Sequence, residues 1–224
     1  MYYISTRSDD NRFTSSHCID KGLSNEGGLF VPDESSFRNY FQNGFSQNKT
    51  YNEIAKDIFN YFFSDFSQDQ IKDITEKAYN LYNFDTKEII KVPTFGNISV
   101  LELTHGRTCA FKDIALSALP HLMNSAKANL NKSGEKTLIL TATSGDTGKA
   151  ALEGFRNAEN IDVIVFYPYR GVSDIQLKQM LTQQGENVYA IAVKGNFDDV
   201  QTAVKRIFAD KAFNNELNHK IQHR

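Results

Sequence analysis

The stretch "TLILTATSGDTGKAALEGF", residues Thr137 to Phe155, decides how the second half of the chain folds. "TLILTAT" is a short apolar, β-rich run, the pattern of a strand. "SGDTG" follows as a tight turn, and "KAALEGFRNA" continues as a helix. The same order comes twice more. "DVIVFYP" is a second strand, and Ser173 then caps a helix "DIQLKQMLTQQG" that Gly185 ends. "VYAIAVKG" is a third strand, followed by the helix "NFDDVQTAVKRIFAD". Three β–α units in succession predict an α/β fold, a parallel sheet flanked by helices. Right-handed crossovers put the three strand-to-helix turns on one edge, where open α/β sheets take their ligands.

The first ninety or so residues have another texture, rich in Phe, Tyr, Asn, Asp and Ser. "GGLFVP", Gly27 to Pro32, reads as a turn, a short strand and a stop, with the proline ending the pairing. "TYNEIAKDIFNYFF" sets Ile54, Ile58, Tyr61 and Phe62 at helical spacing, with Thr50 and Glu53 as a capping box. "SQDQIKDITEKAYNLY" repeats the device with Ser67 and Gln70. These aromatics read as core. The expected divisions are an α+β N-terminal region over 1–91, a segment 92–134 that carries Lys112, and a small three-layer α/β domain over 135–224.

Composition narrows the functional classes. At 224 residues, 40% apolar and 23% charged, the chain has an ordinary globular balance. A formal charge of −2 offers no electrostatic footprint for nucleic acid or an anionic membrane. The apolar runs are too short to span a bilayer, and "MYYISTRSDD" lacks the order of a signal peptide. Cys18 and Cys109 have no metal-like spacing and form no disulfide framework. The expectation is a cytoplasmic protein with reduced thiols and no metal.

Three turns carry candidate chemistry. In "TATSGDTGKAA" a strand feeds two glycines at a helix start, where backbone N–H groups favour an anion, and Ser144 and Thr147 add hydroxyl donors. The P-loop pattern fails, because Thr143 stands at its first glycine and Ala150 at its last Ser/Thr position. The dinucleotide fingerprint fails for want of a third glycine beside Gly145 and Gly148. A plain β–α turn is the alternative. In "VKGNFDDVQ" the amides from Gly195 through Asp198 could converge on a phosphate, provided the carboxylates of Asp198 and Asp199 turn away; a simple Asx helix cap is the alternative. In "LELTHGRTCAFKDIALSAL" a single lysine, Lys112, lies among apolar and small residues. Apolar surroundings disfavour the charged amine and make a neutral nucleophile available for a Schiff base; a lysine snorkelling from a helix start is the alternative.

Taken in order, "STR", "GGLFVP", "HGRTCAFKD", "TSGDTG" and "GNFDD" resemble the signatures of the threonine synthase family of fold-type II pyridoxal-phosphate enzymes. Each motif is weak by itself, whereas the ordered set, running over most of the chain, is specific. The resemblance implies that Lys112 carries pyridoxal 5′-phosphate as a Schiff base, and that Gly195, Asn196, Phe197 and Asp198 cradle its phosphate. Ser144, Gly145, Thr147 and Gly148 would then take the substrate carboxylate, with Asp146 near the cofactor's 3′ oxygen. The implied reaction converts O-phospho-L-homoserine and water into L-threonine and phosphate. Arg107 departs from the proline the family usually has there, which implies a less rigid loop, and Cys109 reads as packing. The polar tail "NNELNHKIQHR" departs from the expected next sheet segment, so a truncated form is expected, with self-association through an exposed sheet. Two other readings stay open: an inactive truncated fragment, and another pyridoxal-phosphate lyase that eliminates at the β or γ carbon.

Overall fold

The computed structural model describes residues 1–34 and 48–222, which divide into two compact units. The first comprises Met1–Leu101 with His121–Ser133, and the second Glu102–Pro120 with Gly134–Arg224. The segment 92–134 is therefore shared: its lysine stretch clusters with the β–α units, and only its flanks belong with the N-terminal residues. Contacts made by the loop around Lys112, described below, are the physical reason.

In the first unit β1 (Tyr3–Ser5) is the centre of an antiparallel sheet, between β2 (Ser8–Phe13) and β3 (Phe30–Pro32). Tyr3 pairs with Pro32 and Ser5 with Phe30, and the Asp33 N–H still donates to the Tyr2 carbonyl at 2.9 Å. The strand thus ends at Pro32, as read, with one further bond from the next amide, because proline removes only its own donor. Helix α1 (Ser15–Lys21) follows β2. Helices α2 (Tyr51–Phe62) and α3 (Gln68–Ala78) both begin with the expected capping boxes, Thr50 with Glu53 and Ser67 with Gln70. They bury Ala55, Ile71, Ile74 and Ala78, and Tyr51 meets Tyr79 edge to face at 4.9 Å. All four residues spaced along α2, Ile54, Ile58, Tyr61 and Phe62, are half-buried. A two-residue hairpin, β4 (Thr94–Phe95) and β5 (Ile98–Ser99), turns at Gly96 in the left-handed region.

The second unit begins with the lysine loop and α4 (Asp113–Leu116); the next helix, α5 (Leu119–Asn129), belongs from His121 onward to the first unit. Then come β6 (Thr137–Ala142), α6 (Asp146–Gly154), β7 (Ile161–Pro168), α7 (Asp174–Leu181), β8 (Val188–Val193) and α8 (Phe197–Ala209). The strands form a parallel sheet in the order β6–β7–β8, with Val163 and Val165 of β7 fully buried. Ala142 ends β6 beside Phe166, and Val193 ends β8 beside Pro168. All three turns into helices therefore leave the same edge, as the crossover rule predicts. Gly148 lets α6 approach the sheet: a Cβ there would lie 2.7 Å from Val165 Cγ1. Gly154 does the same against α4, where a Cβ would lie 2.6 Å from the Leu116 carbonyl oxygen.

Some boundaries differ from the sequence reading. Helix α6 starts at Asp146, inside "SGDTG", because Gly145 serves as its N-cap. Helix α7 stops at Leu181, short of Gly185, where the Thr182 hydroxyl donates to the Lys178 carbonyl at 2.7 Å and closes the last turn. The polar tail is helical, α9 (Lys211–Gln222), started by Asp210, whose carboxylate accepts the Phe213 N–H at 2.9 Å. His223 and Arg224, the last of that tail, lie outside the described residues.

Ile74, 1% exposed between the two N-terminal helices, is a direct probe of the first core. Ile74→Ala is expected to destabilise the first unit by about 2–4 kcal/mol, measured by chemical denaturation.

Candidate active site at the lysine loop

The loop before α4 is closed by one carboxylate. Asp113, 6% exposed, accepts the Thr108 N–H at 2.8 Å on one oxygen and the Thr108 hydroxyl at 2.6 Å on the other. Gly106 passes directly beside it, and a Cβ there would lie 2.4 Å from Asp113 Cβ. The Cys109 N–H returns to the Gly106 carbonyl at 3.0 Å, and Cys109 itself takes φ +59°. Wound this way, the chain presents Lys112 at the N-cap position of α4.

Lys112 Nζ donates to Asp146 Oδ2 at 2.9 Å and sits 4.1 Å from the centre of the Phe111 ring. The expected apolar pocket around this amine is not what the fold provides, since the tertiary contact supplies an ion pair and a ring face. Asp146 opens α6, where the positive end of the helix also favours a carboxylate. The Lys112 hydrogen bond holds the Asp146 carboxyl below the ordinary range, against partial burial and with help from the Thr147 N–H.

Around Asp146 the "SGDTG" turn is organised by a residue outside the motif. Thr143, 1% exposed, accepts the Gly145 N–H at 3.0 Å and the Gly148 N–H at 2.9 Å on its hydroxyl oxygen. The Thr147 N–H turns to Asp146 Oδ1 at 2.9 Å. Three amides expected to face a ligand are thus committed inward, leaving Ser144 exposed and the Asp146 amide in the first helical turn, where no intrahelical carbonyl is available. Gly145 adopts φ +151°, and a Cβ there would strike the Gln176 side chain.

At the third turn Gly195 has φ +148°, and a Cβ would lie 2.9 Å from Asp199 Oδ2. Asn196 and Asp199 form a full capping box: the Asn196 N–H donates to Asp199 Oδ2 at 2.9 Å, and the Asp199 N–H to Asn196 Oδ1 at 3.0 Å. Asp199 does turn to the cap, as the sequence reading required, but it takes the Asn196 amide with it. Phe197 and Asp198 keep amides that the helix cannot satisfy.

A cavity of about 380 Å³ lies beside the Lys112–Asp146 pair, lined among others by Thr108, Cys109, Phe111, Asp146, Lys149 and Gln176. Gly195 to Asp198 are not in its lining. A larger cavity of about 1020 Å³, lined by apolar residues such as Leu138, Ile164, Ile191 and Leu217, holds none of the expected site residues. Thr143, Gly106 and Asp113 shape the lysine loop and the glycine turn without being among the expected site residues. Their signal was present, a Thr ending the strand before a glycine turn and an Asp next to the lysine, but only the fold shows what they bind. Among the described residues no helix is long and apolar enough to cross a membrane.

The family model for the threonine synthase N terminus matches residues 2–79. Threonine synthase of Pseudomonas aeruginosa is 38% identical over 214 residues, covering 95% of this chain and 45% of that protein. The Schizosaccharomyces pombe enzyme is 37% identical over 222 residues, covering 95% and 42%. Human threonine synthase-like 2 is 32% identical over 216 residues, covering 95% and 44%. Among solved structures, pyridoxal-phosphate-bound threonine synthase from Brucella melitensis superposes with a TM-score of 0.83 at 34% identity, over 96% of this chain and 46% of that one. The yeast threonine synthase structure gives 0.78 at 32% identity, over 95% and 44%. The chain therefore spans less than half the length of the relatives it matches, and within that span its resemblance to threonine synthases and its fold-type II architecture hold.

Two outcomes test the site's construction. Thr143→Val leaves the Gly145 and Gly148 amides without their acceptor, and a loss of roughly 2–4 kcal/mol is expected, with faster hydrogen exchange at those two amides. Lys112→Ala is expected to raise the Asp146 carboxyl toward its ordinary value, read by carboxyl-carbon NMR. A depressed carboxyl stabilises the fold above the unfolded pKa of about 3.9, and that contribution is lost as pH falls through the folded value. The variant is therefore expected to lose the stability difference between these pH ranges that Asp146 contributes.

Proposed function

We propose that this chain carries the lysine and the phosphate cradle of a threonine synthase, which converts O-phospho-L-homoserine and water into L-threonine and phosphate with pyridoxal 5′-phosphate. The observation that carries the reading is the Lys112–Asp146 pair, 2.9 Å apart on the edge where all three β–α turns emerge. The residues suit the cofactor. Lys112 holds its amine on Asp146, a residue that lines the 380 Å³ cavity, and the turn at Gly195 brings bare backbone to the start of α8. The Phe197 and Asp198 amides are the donors for the phosphate, with Gly195 allowing close approach and Asn196 holding the first turn through its cap.

When bound, the cofactor supplies an aldehyde for attachment and a ring that draws electrons from the substrate. The protein supplies positioning and protons. Lys112 Nζ is placed to carry a proton, and Asp146 Oδ2 holds it in register. Ser144, exposed beside the inward-turned Gly145, Thr147 and Gly148, is the donor for the substrate carboxylate, together with the Asp146 amide. The thiols of Cys18 and Cys109 are free, in keeping with a cytoplasmic setting, and the exposed Tyr189 and Ile191 of β8 offer an apolar face for self-association.

Reductive trapping tests the assignment. After incubation with pyridoxal phosphate and borohydride reduction, the Lys112 peptide is expected to carry the label ahead of the other lysine peptides. Lys112→Ala should remove that label, and Gly195→Val should reduce it by weakening the cradle. An undiminished label in Lys112→Ala would overturn the reading.

A further inference from the structure

Arg107, five residues before Lys112, is tied to the far end of the helix that Lys112 touches. Its Nε donates to Glu153 Oε1 at 2.5 Å. Glu153 is only 13% exposed and also accepts Gln183 Nε2 at 2.9 Å, with Lys149 Nζ at 3.7 Å. Burial pushes the Glu153 carboxyl up, but hydrogen bonds from Gln183 and Arg107, with the Lys149 charge, hold it below the usual range. Asp146 and Glu153 are two helical turns apart, so they share one face of α6 about 10 Å from each other, with Lys149 between them. The lysine loop therefore meets α6 at two points, Lys112 on its first residue and Arg107 two turns on. Between these points the loop is stiffened by the Asp113 carboxylate on Thr108.

We infer that the Arg107–Glu153 pair is a positioning device that fixes the Lys112 amine against Asp146. A loop anchored at one end can swing, whereas two ion pairs on one helix face leave it a single seat. Proline at position 107, as in the resembled motif, would limit the loop through its ring; here the constraint comes from a carboxylate on α6. The inference rests on reading Lys112 as the reactive amine only for its functional meaning, since the geometry itself needs no cofactor.

The test is the Asp146 titration, followed by carboxyl-carbon NMR in the cofactor-free protein. Arg107→Gln is expected to raise the Asp146 midpoint by at least half of the rise that Lys112→Ala produces. Arg107→Lys, which keeps the charge, and Arg107→Pro, which restrains the backbone, should leave it at the wild-type position. Loss of the Glu153 charge would by its field alone lower the Asp146 midpoint, so a rise in Glu153→Gln reports displacement of Lys112 and not a lost field. Glu153→Gln should give the same rise as Arg107→Gln, and it serves alone if that variant does not fold. A wild-type Asp146 midpoint in Arg107→Gln or in Glu153→Gln, with the fold intact, would overturn the inference. Trapping of the cofactor on Lys112 is read separately, so either result can fail without the other.

Discussion

The buried carboxylate of Asp113 fixes the loop that carries Lys112. A carboxylate with little solvent must be fully hydrogen-bonded, and Asp113 meets this with the amide and hydroxyl of one residue, Thr108. That bidentate closure forces the chain to pass close by at Gly106, where only a glycine fits, and to turn through the left-handed region at Cys109. Lys112 then emerges at the start of α4 and not in a flexible stretch. Helix α4 in turn lies on α6 at Gly154, so the seat of the amine is defined by backbone contact as well as by charge.

The two anion-favouring turns show how such sites divide their donors. An amide already satisfied inside the protein is costly to redirect to a ligand. Thr143 takes two amides of the "SGDTG" turn, and the Asn196–Asp199 box takes one at the start of α8. These internal bonds hold each turn in shape before any ligand arrives, and they leave a small, defined set of donors outward. Rigid turns with few free amides select a ligand by position more than by the number of bonds they offer.

Glu153 extends the same logic to charge. Arg107, Lys149 and Gln183 come from the lysine loop, α6 and the residues after α7, and one half-buried carboxylate gathers all three. Breaking such a cluster would leave a desolvated charge without its partners, which costs more than an exposed pair is worth. The cluster therefore acts as a fixed point for three segments that are distant in sequence.

Local patterns determined much of this protein. The three β–α units, the capping boxes at Thr50, Ser67 and Asn196, the Ser173 cap and the common edge of the turns follow from periodicity, side-chain oxygens and the handedness of crossovers, all of which act over a few residues or one connection. The order of motifs was equally legible, and with it the resemblance. What the linear chain could not supply is the company each group keeps. Lys112 stands among apolar neighbours in sequence yet is paired with Asp146, thirty-four residues on. Thr143 and Asp113 look like ordinary strand-end and helix-start residues until their acceptors are placed, and Arg107 looks like a loosened loop until Glu153 is brought beneath it. Ion pairs and buried hydrogen bonds act through space, so their partners are chosen by the packing of helices on the sheet and not by spacing along the chain.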